Sequence, residues 1–177
     1  MIVHASKDEN NKYRGGKAGD QTGKEVCKRE WYNRPWNVVL DPPSAKLGNL
    51  VARKAKAAAA NNKIGYNQNN RNSIFKALEE ANNEFKKINV ACDCDCSSLV
   101  TAIVISAQKD DTKEKMMHYG NASTTRTLVS DLKKCGWIIH RDRKYLRSDE
   151  YLGEGWILVY EGHHAAINVN KGSKYGK

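Results

Sequence analysis

Three of the five cysteines fall within five residues, Cys92-Asp93-Cys94-Asp95-Cys96, and Ser97-Ser98-Leu99-Val100 follow directly. Leu99, Val100, Ile103, Val104 and Ala107 trace the buried stripe of a helix beginning just after Cys96, so the spacing puts that thiol at a helix N-terminus. Unpaired backbone N–H groups and the helix dipole favour a thiolate there and draw its pKa below about 8.5, which makes Cys96 a candidate nucleophile. Acyl transfer by cysteine also needs an imidazole to exchange a proton with the leaving group. Gly162-His163-His164-Ala165-Ala166-Ile167-Asn168-Val169 offers one. If residues 164–169 form a strand, His164, Ala166 and Asn168 share a face, and the small Ala166 leaves room beside the His164 ring. His163 takes that place only if the register slips by one residue.

The same side chains are open to other chemistry. Free cysteine is among the most buried residue types, so Cys96 could simply be core. Cys92, Cys94 and Cys96 could hold zinc with His163 or His164, although structural zinc prefers Cys-x2-4-Cys pairs in two clusters. Cys92 and Cys94 have no assigned role, as flanking thiols or a disulfide. Cys27 and Cys135 read as packing residues, and His4, His118 and His140 as ordinary polar ones. Gly19-Asp20-Gln21-Thr22-Gly23 has the look of a phosphate loop but lacks the Gly-Lys-Ser/Thr ending.

Elements must bring residues 96 and 164 together. The first 36 residues, punctuated by Gly15-Gly16, Gly19 and Gly23, read as a loop pinned by Trp31, Tyr32 and Trp36. A short strand over 37–41 stops at Pro42-Pro43, and Ser44 caps a helix running to about Asn61. Asn62–Asn70 reads as a polar turn carrying Gly65 and Tyr66. A second amphipathic helix is expected over about 71–87, from Ile74, Phe75, Leu78, Ala81 and Phe85. After the Cys96 helix come a polar loop around 109–115, a helix over about 123–134, and strands over 137–140, 156–160 and 165–169. Helices first and then an antiparallel sheet point to an α+β protein.

The 177 residues carry 30 Lys and Arg against 20 Asp and Glu, a formal +10, and the hydrophobic fraction is 40%. Residues 1–64 hold 13 basic and 6 acidic side chains, a net +7; residues 65–177 hold 17 and 14, a net +3. A polyanion is the expected partner, either nucleic acid or the anionic polymers of a bacterial wall. No apolar run reaches the roughly 18 residues of a membrane span, and the first residues lack the features of a Sec signal.

Asp95-Cys96-Ser97-Ser98 before a buried helix, with His164-Ala165-Ala166-Ile167 on a strand, resembles the nucleophile and histidine motifs of the NlpC-type cell-wall cysteine peptidases and the related CHAP amidohydrolases. Gly65-Tyr66 looks like the tyrosine that precedes the cysteine helix in those families. The loop Ala18–Glu25, Trp31-Tyr32-Asn33 with Pro35-Trp36-Asn37, Gly65-Tyr66-Asn67-Gln68 and the cysteine run further resemble phage and prophage lysins of Gram-positive bacteria. The resemblance implies a papain-like α+β fold in one catalytic domain, 1–177, with a basic arm over 1–43 and the core over 44–177. It implies a peptidoglycan hydrolase that cleaves an amide of the stem peptide or the N-acetylmuramoyl-L-alanine bond and needs no cofactor or metal. Catalysis falls to Cys96 and His164, supported by Tyr66, Asp95, Ser97 and Asp20. The expected partners are peptidoglycan and anionic wall polymers, for a monomeric lysin made without a Sec signal.

Two features depart from the resemblance. Gly155-Trp156 stands where relatives have Gly-Asp, and the third catalytic group, carried on the strand after the histidine in relatives, has no clear match in residues 170–177. Asn168 lies about 13 Å from His164 along the strand, which leaves a backbone carbonyl or an acid such as Asp20 to orient the imidazole. Two rival functions remain: a nucleic-acid-binding module stacking bases on Trp31, Tyr32 and Trp36, and a zinc-stabilised interaction domain.

Overall fold

The computed structural model describes residues 1–109 and 111–177. In chain order the elements are β1 (Ile2–Ala5), β2 (Val26–Arg29), β3 (Val38–Asp41), α1 (Ala45–Ala59), β4 (Ile64–Tyr66), α2 (Ser73–Glu80), β5 (Cys92–Cys94) and α3 (Cys96–Gln108). There follow α4 (Thr112–Met116), β6 (Met117–His118), β7 (Asn121–Ala122), α5 (Leu128–Lys134), β8 (Ile138–His140), α6 (Arg143–Leu146), β9 (Ile157–Tyr160) and β10 (His164–Asn168). This is a mixed α/β architecture around a six-stranded sheet, ordered β2-β1-β10-β9-β3-β8 with every neighbouring pair antiparallel. A short parallel pair, β4 with β5, stands beside it.

Alternation along the strands sorts the side chains into two layers. Val3, Ala5, Val38, Leu40, Ile157, Val159, Ala165 and Ile167 join the main core, which includes Val51, Ala52 and Ala55 of α1 and Leu99, Val100 and Ile103 of α3. Ile2, Val39, Leu158 and Ala166 point the other way and are covered by Trp36, Leu152 and Trp156. β10 is therefore buried on both faces along its whole length, which fixes its register against a one-residue slip.

Local chemistry explains where helices start. Ser44 accepts the Leu47 N–H and caps α1. Asp95 accepts the Ser98 N–H while the Ser98 hydroxyl accepts the Asp95 N–H, a reciprocal capping box that opens α3 at Cys96.

Several expectations are corrected. The opening stretch is not all loop: β1 lies inside the sheet, paired with β10 on one side and β2 on the other. Residues 62–70 contain β4, whose Ile64, Gly65 and Tyr66 are buried by pairing with Cys92, Asp93 and Cys94. A Cβ at Gly65 would sit 2.8 Å from Asp93 Oδ1 and 3.0 Å from the Gly19 nitrogen, so only glycine lets the N-terminal loop lie this close. The second helix stops at Glu80 because Asn82 and Asn83 take left-handed φ values of 56° and 63°; a separate turn of 3-10 helix at Phe85–Lys87 buries Phe85. α5 starts at Leu128, not near 123. The polar loop expected around 109–115 includes residue 110, outside the described residues, and α4 occupies its second half.

Candidate active site

Cys96 is the first residue of α3, and His164 is the first residue of β10. Both line a cavity of about 440 Å³ together with Tyr66, Gln68, His163, Tyr32, Arg34 and Lys7. A second cavity, of about 320 Å³, also touches Gln68, Cys96 and His163, and it continues past Ser97 and Arg71 to Thr124. Cys96 thus lies where two hollows meet.

The surroundings of Cys96 correct one expectation. Backbone N–H groups of Ala165 and Ser97 do approach the sulfur, and Arg71 adds a favourable charge. Burial outweighs them, with the Asp95 charge adding to it, and pushes the Cys96 thiol up to about 12. His164 moves the other way: burial, the neighbouring His4 and the charges of Arg34 and Arg29 bring it down to about 3. Thiol and imidazole therefore rest as a neutral pair rather than as thiolate and imidazolium.

His4 is the residue that sequence reasoning missed. Its Nδ1 lies 2.9 Å from His164 Nε2 in a buried hydrogen bond between residues 160 apart in sequence. β1, at the start of the chain, occupies the position beside β10. Burial, with Arg29 and Arg34, lowers His4 to about 4. The only local signal was a histidine inside the apolar run Ile2-Val3-His4-Ala5. Trp36 stacks on His164 at 5.8 Å between ring centroids, and Tyr32 meets the edge of His4 at 5.9 Å, so the aromatic segment locks both imidazoles.

The other expected residues divide. Tyr66 is buried in the cavity wall, and its hydroxyl accepts from Gln68 Nε2 at 3.1 Å, leaving the phenol proton free. Its pKa is raised, chiefly by burial and then by the nearby Cys96. Asp95 caps α3 and also accepts from Arg71 Nε at 2.7 Å, while Ser97 Oγ accepts from Arg71 Nη2 at 2.9 Å. Arg71 donates further to the carbonyls of Ala122 and Ser123, which makes it the anchor of the α3 entry. Asp95 and Ser97 are thus structural supports of the turn that opens α3 at Cys96. Asp20 is not brought to the site: it is exposed, and its N–H bonds the Lys17 carbonyl. The partner of His164 is His4 instead. His163 is exposed and stacks on Tyr160 at 4.2 Å, so the register favours His164 as the buried imidazole.

Cys92 and Cys94 lie in β5 within the main core, Cys94 donating to the Gly65 carbonyl. Burial raises both thiols. Among the described residues no three His, Cys, Asp or Glu side chains come together as a metal site, and all five cysteines are free. No helix among the described residues is long and apolar enough to cross a membrane.

A family model described as an endolysin-like domain matches residues 2–175. No curated protein and no solved structure matches the chain.

Proposed function

The chain belongs to the endolysin-like domain family, a lysin role at the cell wall follows from that membership, and we propose that it hydrolyses a peptidoglycan amide by cysteine catalysis. The observation that carries this reading is the buried Cys96 thiol at a helix start, sharing a cavity with an imidazole that a second imidazole orients. We read the arrangement as papain-like: a thiol-bearing helix packed against an antiparallel sheet that carries the histidine.

The mechanism follows from the hydrogen bond. With His164 donating its Nε2 proton to His4 Nδ1, the His164 Nδ1 lone pair is left for the Cys96 thiol. As substrate enters and displaces water, His164 takes the thiol proton and sulfur attacks the carbonyl carbon. The oxyanion is held by the Cys96 N–H at the helix start and by the Tyr66 hydroxyl, whose proton is not otherwise committed. His164 then gives its proton to the departing amine. Water, deprotonated by the same imidazole, releases the acyl group and restores the thiol. His4 stabilises the imidazolium form without itself exchanging protons with substrate, the part that the third member plays in such triads. No metal or cofactor enters these steps.

The basic excess in residues 1–64 suits attraction to the anionic polymers of a wall. The scissile bond is an amide of the stem peptide or the muramoyl-L-alanine bond. Turbidity clearing of purified walls by wild type and Cys96→Ala tests the reading: the variant is expected to be folded and inactive, and undiminished lysis would exclude the mechanism. Mass spectrometry of the released fragments identifies the bond, because a new N-terminal alanine and a new internal peptide end differ in mass.

A further inference from the structure

Arg34 is a cation without a partner in the wall of the catalytic cavity. Among the described residues it makes no ion pair and no side-chain hydrogen bond, and its Nε is shut away from solvent with nothing to accept its proton. The cavity lining holds Arg34 and Lys7 but no Asp or Glu. Arg71, on the far side of Cys96, is the contrast: Asp95, Ser97 and two carbonyls use its guanidinium fully. Its Nε is out of a ligand's reach, but among the described residues the two Nη groups are neither buried nor bonded, and their fork matches a carboxylate in shape and charge. Arg34 is also near enough to the two imidazoles for its charge to act on both.

We propose that Arg34, assisted by Lys7, is a specificity-determining residue that binds a free carboxylate on a residue flanking the scissile amide. This rests on the hydrolase reading above and narrows it. The muramoyl-L-alanine amide joins two groups that carry no free carboxylate, whereas stem-peptide amides have acidic residues beside them. The chain is thereby a peptidase that prefers acidic stem peptides over those whose carboxylate has been converted to a carboxamide.

The test uses the full chain and two purified muropeptides that differ only in a carboxylate or carboxamide on the stem glutamyl residue. Wild type is expected to favour the acid in kcat/KM by about 10- to 100-fold, the range of one charge-assisted hydrogen bond. In Arg34→Gln the acid-to-amide ratio falls to about one, and Arg34→Lys restores part of it. A wild-type ratio near one, or an Arg34→Gln protein that keeps the preference while slowing on both substrates, overturns the inference. Calorimetric binding of the two muropeptides to Cys96→Ala reads the same preference without hydrolysis and without altering Arg34. If wild type cleaves neither walls nor muropeptides yet Cys96→Ala binds the acid form at least 10-fold tighter, the hydrolase reading fails and the carboxylate site stands. Equal binding of both forms removes the site.

Discussion

Acidification should destabilise this protein through one pair of rings. His4 and His164 are buried and hydrogen-bonded to each other, and their pKa values lie at about 4 and about 3 against 6.5 in an unfolded chain. The direction follows from proton counting. Between pH 6.5 and pH 4 the unfolded state binds more protons than the folded one, so stability is full above 6.5 and is lost as pH falls through that window. From pH 8 to pH 5 the loss is about 2 kcal/mol for each ring, or about 4 kcal/mol for the pair, at roughly 1.4 kcal/mol per pH unit below 6.5. That is a large share of a total stability of about 5–15 kcal/mol. The folded pair takes up its own first proton only near pH 4, where it can be shared across the ring-to-ring hydrogen bond, so the drop flattens there. Urea unfolding at pH 8 and pH 5, for wild type and for the double variant His4→Gln, His164→Gln, isolates the effect from all other titrating groups. Wild type should lose about 4 kcal/mol more than the variant; parallel losses, within about 1 kcal/mol, would refute the assignment of buried neutral rings.

Three other outcomes are expected. His4→Ala should lower kcat on a soluble muropeptide by about 10²–10⁴-fold with a smaller change in KM, since it removes tautomer control and not a substrate contact; a loss under about 3-fold denies His4 its orienting role. Arg71→Ala leaves the carboxylate of Asp95 unpaired at a site where both side chains are only 12% exposed. It should cost about 3 kcal/mol in chemical denaturation, and a cost below about 1 kcal/mol would contradict the anchoring role given to it. Neutralising Lys12, Arg14, Lys17, Lys24, Lys28 and Arg29 together should weaken salt-sensitive binding to walls more than it slows hydrolysis of a soluble fragment. Equal losses in a pelleting assay and in the fragment assay would refute that division.

What could be read from the residues depended on how local the cause was. The Cys96 helix announces itself because its cap, its thiol and its apolar stripe fall within a dozen residues, and the alternating faces of β10 are legible for the same reason. Ser44 before α1 is another local signal that the fold obeys. β1 and β4 are four and three residues long, and each is a strand only because a partner distant in sequence completes its hydrogen bonds. His4 was hidden with β1, so the residues pointed to a backbone carbonyl or to Asp20 as the partner of His164 and not to the first strand. The thiol's state was misjudged for a different reason: a helix terminus is visible in a sequence, but the depth at which it is buried is not, and here depth outweighs the dipole.

The 160 residues between the two imidazoles set a clock on the enzyme. At a synthesis rate of about 5–20 residues per second, His4 leaves the ribosome roughly 8–30 s before His164 does. Through that interval β1 has no β10 to lie against, and a ribosome that stalls before codon 164 yields a polypeptide with Cys96 but without His164. Joining the earliest strand to the latest is also the sort of long-range closure that slows folding. On the cysteine-hydrolase reading, lytic capacity is therefore withheld until translation has passed the last sheet strand and β1 and β10 have paired in the middle of the sheet.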